Sequence, residues 1–404
     1  MRKQAIFLAL TIITAAATAL AADWPQFRGP NRSGVAAEGG LITAWPAEGP
    51  KMLWSYKGLG AGFASVSVVD GLIYTTGVED KSEYVYAFDL NGQLKWKKDC
   101  GPGWTGQYPG SRTTPTIDGD RLYVMSGHGR ITCFQARTGQ QIWQVDTFAV
   151  HGGRNITWGI AESVLIDGRK VICTPGGPDA SVVALDKMTG ETIWTSKGLS
   201  DKSAYCSPIL AEIGPNRLLI TMLAKSIVCL DIETGKLHWQ VPHKVNYDIS
   251  AVSPVYTNGI LYVANNYRRG SIGFALTENG TKCEKKWADK TLDCHHGGVM
   301  LVNGLIYGAS SSEWVCQDPM TGEVKYTQRL VGKGSGIHVD GLFYLYGEKG
   351  DFALVKATPN GFETISSFKI TLGTKEHWAH PVVSNGALYV RHGDTLMAFD
   401  IKAK

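Results

Sequence analysis

Ten histidines are spread through this 404-residue sequence, and eight of them occupy the same class of position. His128, His151, His243, His295, His296, His377, His380 and His392 lie between periodic segments, in strings such as HKVNYDIS (residues 243–250), DKTLDCHHGG (289–298) and TKEHWAH (374–380). Only His238 and His338 read as strand residues. A neutral imidazole is a metal ligand and a proton carrier near neutral pH, so grouped loop histidines are the strongest candidates for chemistry here. Aromatic residues keep them company: Trp104, Tyr108, Trp158, Tyr205, Tyr247, Tyr267 and Trp378 fall in the same loops. For any single histidine a loop-capping hydrogen bond is the plainer expectation. The shared bias toward one kind of loop is what marks a functional face.

The elements that position these loops come from a repeat. IVCLDIETGKLHW (residues 227–239) recurs imperfectly as YVYAFDLNGQLKW (84–96), ITCFQARTGQQIW (131–143), VVALDKMTGETIW (182–194) and WVCQDPMTGEVKY (314–326). Each copy alternates apolar and small residues, turns at Thr-Gly or Asn-Gly, and closes on an aromatic, which predicts a strand, a turn and a strand. A second unit precedes the hairpins: VVDGLIY (68–74), IDGDRLY (117–123), YTNGILY (256–262), LVNGLIY (301–307), HVDGLFY (338–344) and VSNGALY (383–389). Together they make a four-stranded antiparallel unit with a period near 40–50 residues, the signature of a repeat architecture rather than of several domains. The closing aromatics Trp54, Trp96, Trp143, Trp194, Trp239, Trp287, Tyr326 and Phe368 count eight units. The C-terminal stretch from residue 380 supplies three strands and no fourth, while residues 52–56 supply one strand without its three partners. The expectation is therefore an all-β, eight-bladed β-propeller whose last blade is closed by the N-terminal strand, which removes the exposed edges of an open sheet.

In such a blade the first–second and third–fourth turns share one face, and all other connections share the opposite face. The first set is short and uniform; the second is long and varied, and it holds the histidines. Variable loops on a rigid scaffold are the usual place for binding. The predicted ligand-binding face comprises His151, Trp158, His243, Tyr247, Arg268, His295, His296, His377, Trp378 and His380. Counting nine residues back from each second-strand aromatic gives the start of the innermost strand at Ser65, Thr114, Ser253, Gly298, Ser335 and His380, and Ser163 and Ser207 match by their flanking pattern. Three residues before this ring, His295 and His377 lie about a quarter-turn apart. The metal candidates are accordingly His295, His377 and His380, beside His296.

Residues 1–21 read as a signal peptide, with Arg2 and Lys3, an apolar run over 5–17, and Ala19-Leu20-Ala21 before the cleavage point. The expected product is exported, periplasmic or secreted. Residues 22–50, including the Pro/Gly-rich DWPQFRGPNRSG (23–34), are expected to lie irregularly on the surface, followed by a single propeller over 51–404. No later run is long and apolar enough to predict a transmembrane segment. Without Arg2 and Lys3, 38 basic residues stand against 36 acidic ones, a balance that points away from nucleic acid and acidic membranes as partners. Eight cysteines in an exported chain invite disulfides, but Cys133, Cys229 and Cys316 replace Ala87, Ala184 and Ala398 at one repeat position, each in its own blade. No CxxC, CxxCH, GxSxG, HExxH or EF-hand string occurs.

The A-x-D-x-x-T-G-x-x-x-W pattern, clearest in residues 184–194, resembles the repeat of pyrroloquinoline-quinone (PQQ) propeller proteins, a family that includes quinoprotein alcohol dehydrogenases and BamB-like outer-membrane assembly proteins. DWPQFRGPNRSG with WGIAES, CHHGG and HWAHPVV resembles, more narrowly, the secreted PQQ-like propellers of planctomycete-type bacteria. The resemblance implies the fold over residues 23–404, and PQQ with calcium as a cofactor by resemblance only. The dehydrogenases carry an adjacent cysteine pair beside the quinone, which this sequence lacks. Three functions follow: a monomeric binding or scaffold protein for a protein or polysaccharide at the loop-rich face, a PQQ-dependent alcohol or sugar dehydrogenase, and a histidine-based sugar-active hydrolase or lyase.

Overall fold

The computed structural model describes residues 23–404; the signal-peptide reading of residues 1–21 lies outside them. Eight sheets, each antiparallel within its own repeat, follow one another along the chain. Blades 1 to 8 take their strands from residues 67–102, 116–146, 165–195, 209–242, 255–289, 299–328, 334–369 and 382–400. Two strands precede them: β1 (Val35–Ala36) and β2 (Met52–Lys57). β2 pairs antiparallel with Thr395–Asp400, placing Trp54 opposite Ala398, so the ring closes as the missing strand requires. β1 adds a fifth, parallel strand to blade 7, with Val35 opposite His338. Besides strands, a short helix, Thr147–His151, and two 3-10 turns occur among the described residues. No helix there is long and apolar enough to cross a membrane.

The repeat explains how blades join. On the fourth strand a tryptophan sits opposite the small residue of the third: Trp96 faces Ala87, Trp143 faces Cys133, Trp194 faces Ala184, Trp239 faces Cys229 and Trp287 faces Gly273. Six indoles, Trp54 included, donate to a carbonyl of the following blade at 2.8–3.1 Å. Trp54, Trp96, Trp143, Trp194 and Trp287 also cover a turn glycine of that blade, respectively Gly92, Gly139, Gly190, Gly235 and Gly322, at φ between +69° and +80°. That glycine meets two demands at once, a left-handed turn and room for an indole. All eight cysteines are free and seven are buried, consistent with small apolar fillers in separate blades. Cys100 lies buried in the fourth strand of blade 1, Leu94–Pro102.

Blade 7 departs from the expectation. Phe368 does not occupy the closing position; the residue opposite Leu354 there is Ser366, and Phe368 faces Phe352 two residues on. The vacancy is filled from the N-terminal segment by Trp45, whose ring lies 5.8 Å from both Tyr344 and Phe368 and whose backbone N–H donates to Ser366 Oγ at 3.1 Å.

The placement of residues 23–34 on the surface is also corrected. Trp24 is 2% exposed, Arg28 4% and Arg32 7%. The segment crosses the end of the central channel, tied to its inner strands by Trp24 N–H to Val68 O and Ile117 N–H to Pro25 O. Arg28 donates to the carbonyls of Arg32, Ser33, Gly297 and Val299, and Arg32 to those of Ser163, Val164 and Pro208. A guanidinium has five N–H donors and can satisfy several converging carbonyls, so these two arginines pair carbonyls at the inner-strand starts of blades 3, 4 and 6, where no adjacent strand is there to pair them. Around the same channel the small inner residues bond to one another across blades. Thr114 N–H donates to Ser163 Oγ, Ser163 N–H to Ser207 Oγ, Ser253 Oγ to Ser207 O, and Ser65 Oγ to His380 O, at 2.7–3.0 Å.

Two alanine substitutions separate the demands on glycine. Gly119, at φ +58°, has no atom within 4 Å of an added Cβ, so Gly119→Ala should cost only backbone strain, about 1 kcal/mol. At Gly235 the added Cβ would lie 2.4 Å from Trp194 Cε3, so Gly235→Ala should cost a further ~1–3 kcal/mol, read as a larger fall in the urea midpoint.

Candidate functional site

The long blade connections surround a cavity of about 550 Å³ at one mouth of the channel. Its floor is Phe27 of the plugging segment, which meets the His380 ring edge-on at 5.0 Å. Its wall is a nearly continuous collar of rings. Tyr205 touches Trp158, Trp158 touches Tyr247, Tyr247 touches Tyr267, and Tyr267 touches His295, with centroids 5.4–6.1 Å apart. From there His295 meets His296, His296 meets Trp378, and Trp378 meets both Phe63 and Tyr108, at 4.8–5.7 Å. Each ring comes from a different loop or from a neighbour in the same loop, and edge-to-face contact holds the collar in shape.

Polar groups interrupt the collar in pairs. Glu348 accepts from Trp378 Nε1 at 2.8 Å and from the Lys333 ammonium at 2.9 Å, and His296 Nδ1 stands 3.6 Å away. Arg112 donates to the carbonyls of Gly110 and Tyr108 and lies 5.4 Å over the Phe63 ring; burial lowers its pKa to about 10, which leaves it charged at neutral pH. Glu376 completes the charged set, so two cations face two carboxylates. The imidazoles are neutral. Burial, then Lys333, lowers His295 to about 4; burial, His295 and Lys333 hold His296 well below the usual range; burial and Arg28 lower His380 to about 3. His380 Nε2 donates to His296 O at 2.9 Å, leaving its Nδ1 buried without a partner, as are His295 Nδ1 and His296 Nε2.

Of the ten face residues expected from sequence, Trp158, His295, His296, Trp378 and His380 line this cavity. Tyr247, 65% exposed, stands at its rim within the collar. The other four lie elsewhere. His243 is buried and donates to Asn265 Oδ1 at 2.7 Å; His151 ends the short helix, 3.3 Å from Thr192 Oγ1; Arg268 points to solvent at φ +63°. His377 bonds the Tyr346 hydroxyl and stacks on His392 at 3.5 Å, a loop-capping arrangement. The metal trio His295, His377 and His380 is thus not a group: the described residues bring together His295, His296 and Glu348 instead. Sequence reasoning passed over Phe27, Phe63, Arg112, Lys333 and Glu348. Phe63 and Lys333 lie inside GLGAGF and GKGSG, which carry no phosphate-loop context, and the loop position was the signal available for them.

Two carboxyls are buried beneath the collar. Glu162, next to the lining residue Ala161, accepts from Thr174 N–H at 3.1 Å and from its hydroxyl; Glu83 accepts from Gly127 N–H at 2.9 Å. Burial raises both to about 7, against the hydrogen bonds and nearby arginines that lower them. A carboxyl whose folded pKa is raised holds its proton in the native state after the unfolded chain has lost it, so stability falls as pH rises from about 4.5 to about 7. Glu162→Gln removes that loss. Relative to the parent protein, the variant should gain up to about 3 kcal/mol across this window and nothing further above it, measured by urea unfolding at a series of pH values.

Comparison with known proteins returns the same fold. A family profile described as outer membrane protein assembly factor BamB matches residues 19–157 and 81–328. Among curated relatives, quinoprotein alcohol dehydrogenase PedH of Pseudomonas putida is 29% identical over 157 residues, 36% of this chain and 26% of its own. BamB of Bordetella pertussis is 27% identical over 173 residues, 40% of each chain. The aligned stretches therefore span well under half of these relatives. Among solved structures, BamB from Moraxella catarrhalis superposes with a TM-score of 0.62 at 16% identity, covering 87% of this chain and all of that one. Quinohemoprotein alcohol dehydrogenase from Comamonas testosteroni gives 0.69 at 16% identity, covering 95% and 81%. The two profile matches together run from residue 19 to residue 328, and with eight repeats in a ring, six of them docked by tryptophan, the chain belongs to the PQQ-repeat propeller family described by BamB.

Proposed function

We propose that this chain is an exported binding propeller that takes an uncharged, hydroxyl-rich ligand, a glycan segment, into the aromatic collar at the channel mouth. The carrying observation is the collar itself: rings from Tyr205 to Phe63 present apolar faces, with Gln107, Lys333, Glu348 and Glu376 between them as donors and acceptors. Pockets of this size with aromatic walls and a few placed polar groups suit a small ligand or a chain end. Paired cations and carboxylates leave the cavity near neutrality and favour a neutral ligand. The relatives named as assembly factors support a binding role, and a protein segment is the alternative occupant of the same face.

A dehydrogenase reading rests on the relatives named quinoprotein alcohol dehydrogenases. The residues here do not fit that cofactor. PQQ is a flat polycarboxylate, whereas this cavity offers two cations, of which Lys333 is already paired with Glu348. Glu348 and Glu376 add like charge, and no adjacent cysteine pair is present. A tricyclic polyanion entering this near-neutral collar would bring its own carboxylates into a partly desolvated space whose two cations already face carboxylates.

A glycan array probed with the mature protein should show retained glycans, and Trp158→Ala with Trp378→Ala should weaken that retention by more than about tenfold, since aromatic anchors carry most of such binding. Retention unchanged in the double variant would remove the collar from the site. Tryptophan quenching by PQQ with calcium, accompanied by dye-linked alcohol oxidation, would replace the binding reading with the dehydrogenase one.

A further inference from the structure

On the side of the cavity between blades 5 and 7, three metal-ligating groups converge. His295 and His296 come from the loop joining blades 5 and 6, and Glu348 from the second–third turn of blade 7. One ligand atom from each lies within 4.8 Å of the others, and His296 Nδ1 is 3.6 Å from Glu348 Oε1 without a hydrogen bond between them. Ligand atoms around a tetrahedral zinc are about 3.3 Å apart, which follows from bonds of ~2.0–2.1 Å, so a modest rotamer adjustment closes the set. We propose that His295, His296 and Glu348 bind one borderline divalent cation of the zinc class, with an open coordination position facing the aromatic cavity.

Three features support the assignment. The first is the supply of lone pairs. His295 Nδ1 and His296 Nε2 are buried ring nitrogens with no hydrogen-bond partner among the described residues, and His296 Nδ1 faces Glu348 Oε1 at 3.6 Å without a hydrogen bond, so both rings offer nitrogen lone pairs to a cation. The second is support from neighbouring groups. Trp378 Nε1 orients the Glu348 carboxylate, while Arg28 from the channel plug holds Gly297 O and Val299 O and so fixes the loop carrying both histidines. The third is chemistry: two imidazoles and one carboxylate make the three-ligand set that leaves zinc a vacant position, whereas calcium and magnesium take oxygen ligands. Lys333 is the competing cation, holding Glu348 at 2.9 Å on a stem long enough to swing aside. A ligand hydroxyl or carboxylate entering the collar would complete the coordination shell. The metal site itself stands independently of the glycan reading and is tested with metal alone.

Chelator-treated mature protein is titrated with Zn²⁺ by calorimetry, and with Co²⁺ by visible absorption, which reports low-symmetry nitrogen and oxygen coordination. One equivalent per chain is expected. His296→Gln and Glu348→Gln should each weaken Zn²⁺ binding beyond the about 10–100-fold typical of losing a supporting group. Lys333→Met should strengthen it, and His377→Gln, in the stacked pair with His392, should leave it unchanged. Metal-free thermal unfolding of each variant, matched to the parent, separates lost ligation from lost folding. No stoichiometric uptake by the folded parent, or uptake undiminished in both His296→Gln and Glu348→Gln, overturns the site.

Discussion

Everything in this molecule is positioned by one contact repeated around the ring, an indole of one blade laid over a turn glycine of the next and hydrogen-bonded to its backbone. The indole supplies buried area and direction together: stacking alone would let a blade slide, while the N–H to carbonyl bond fixes its place. From Trp54 at the closing strand to Trp287 in blade 5, the indole N–H bond recurs at six blade junctions, five of them with the turn glycine beneath the ring. The bond is made on the uniform face, where turns are short and interchangeable. That leaves the opposite face free of structural duty, and its connections can differ in length and content without disturbing the ring.

A ring of eight blades leaves an axial channel whose inner strand ends carry carbonyls with no strand to pair them. Serine and threonine hydroxyls meet part of that need from blade to blade, as between Thr114 and Ser163. Arg28 and Arg32 meet much of the rest. Burial lowers both guanidinium groups to about 10, still charged at neutral pH, and neither has a carboxylate salt-bridge partner among the described residues. Their hydrogen bonds to carbonyls offset a desolvation cost that would otherwise exclude them. Removing one arginine would orphan several buried carbonyls at once, which makes the N-terminal segment a structural element of the propeller rather than an appendage.

The repeat was legible because its physics is local: alternation, a turn glycine and an aromatic recur in the sequence at the spacing that the strands demand. The closing role of residues 52–56 followed from counting strands. What sequence reasoning could not reach depended on contacts between distant residues. Trp45 replaces a missing fourth-strand aromatic because Ser366 leaves a gap that only the folded blade reveals. The plug was misplaced for a related reason: Pro/Gly-rich composition reads as surface loop, and nothing local in DWPQFRGPNRSG announces that two arginines will meet carbonyls some 130–270 residues away. Among the histidines, loop position identified the face but not the partners. His295 and His377 are similarly placed in register, yet one joins the collar and the other, in the connection between blades 7 and 8, stacks on His392 at the end of the second strand of blade 8.

The plug also settles the direction from which the site is approached. Phe27 forms the cavity floor while Trp24, Arg28 and Arg32 fill the space beneath, so the cavity is a cup with one entrance and not a passage. The ligand proposed for this ring-lined cup would enter end-on or as a short segment, since a long chain could not thread through. The segment that closes the channel simultaneously positions the loop bearing His295 and His296 through Arg28. Sealing the fold and arranging the site are therefore the work of the same side chain, and a change at Arg28 would be felt first at the collar's histidines and only then in the ring.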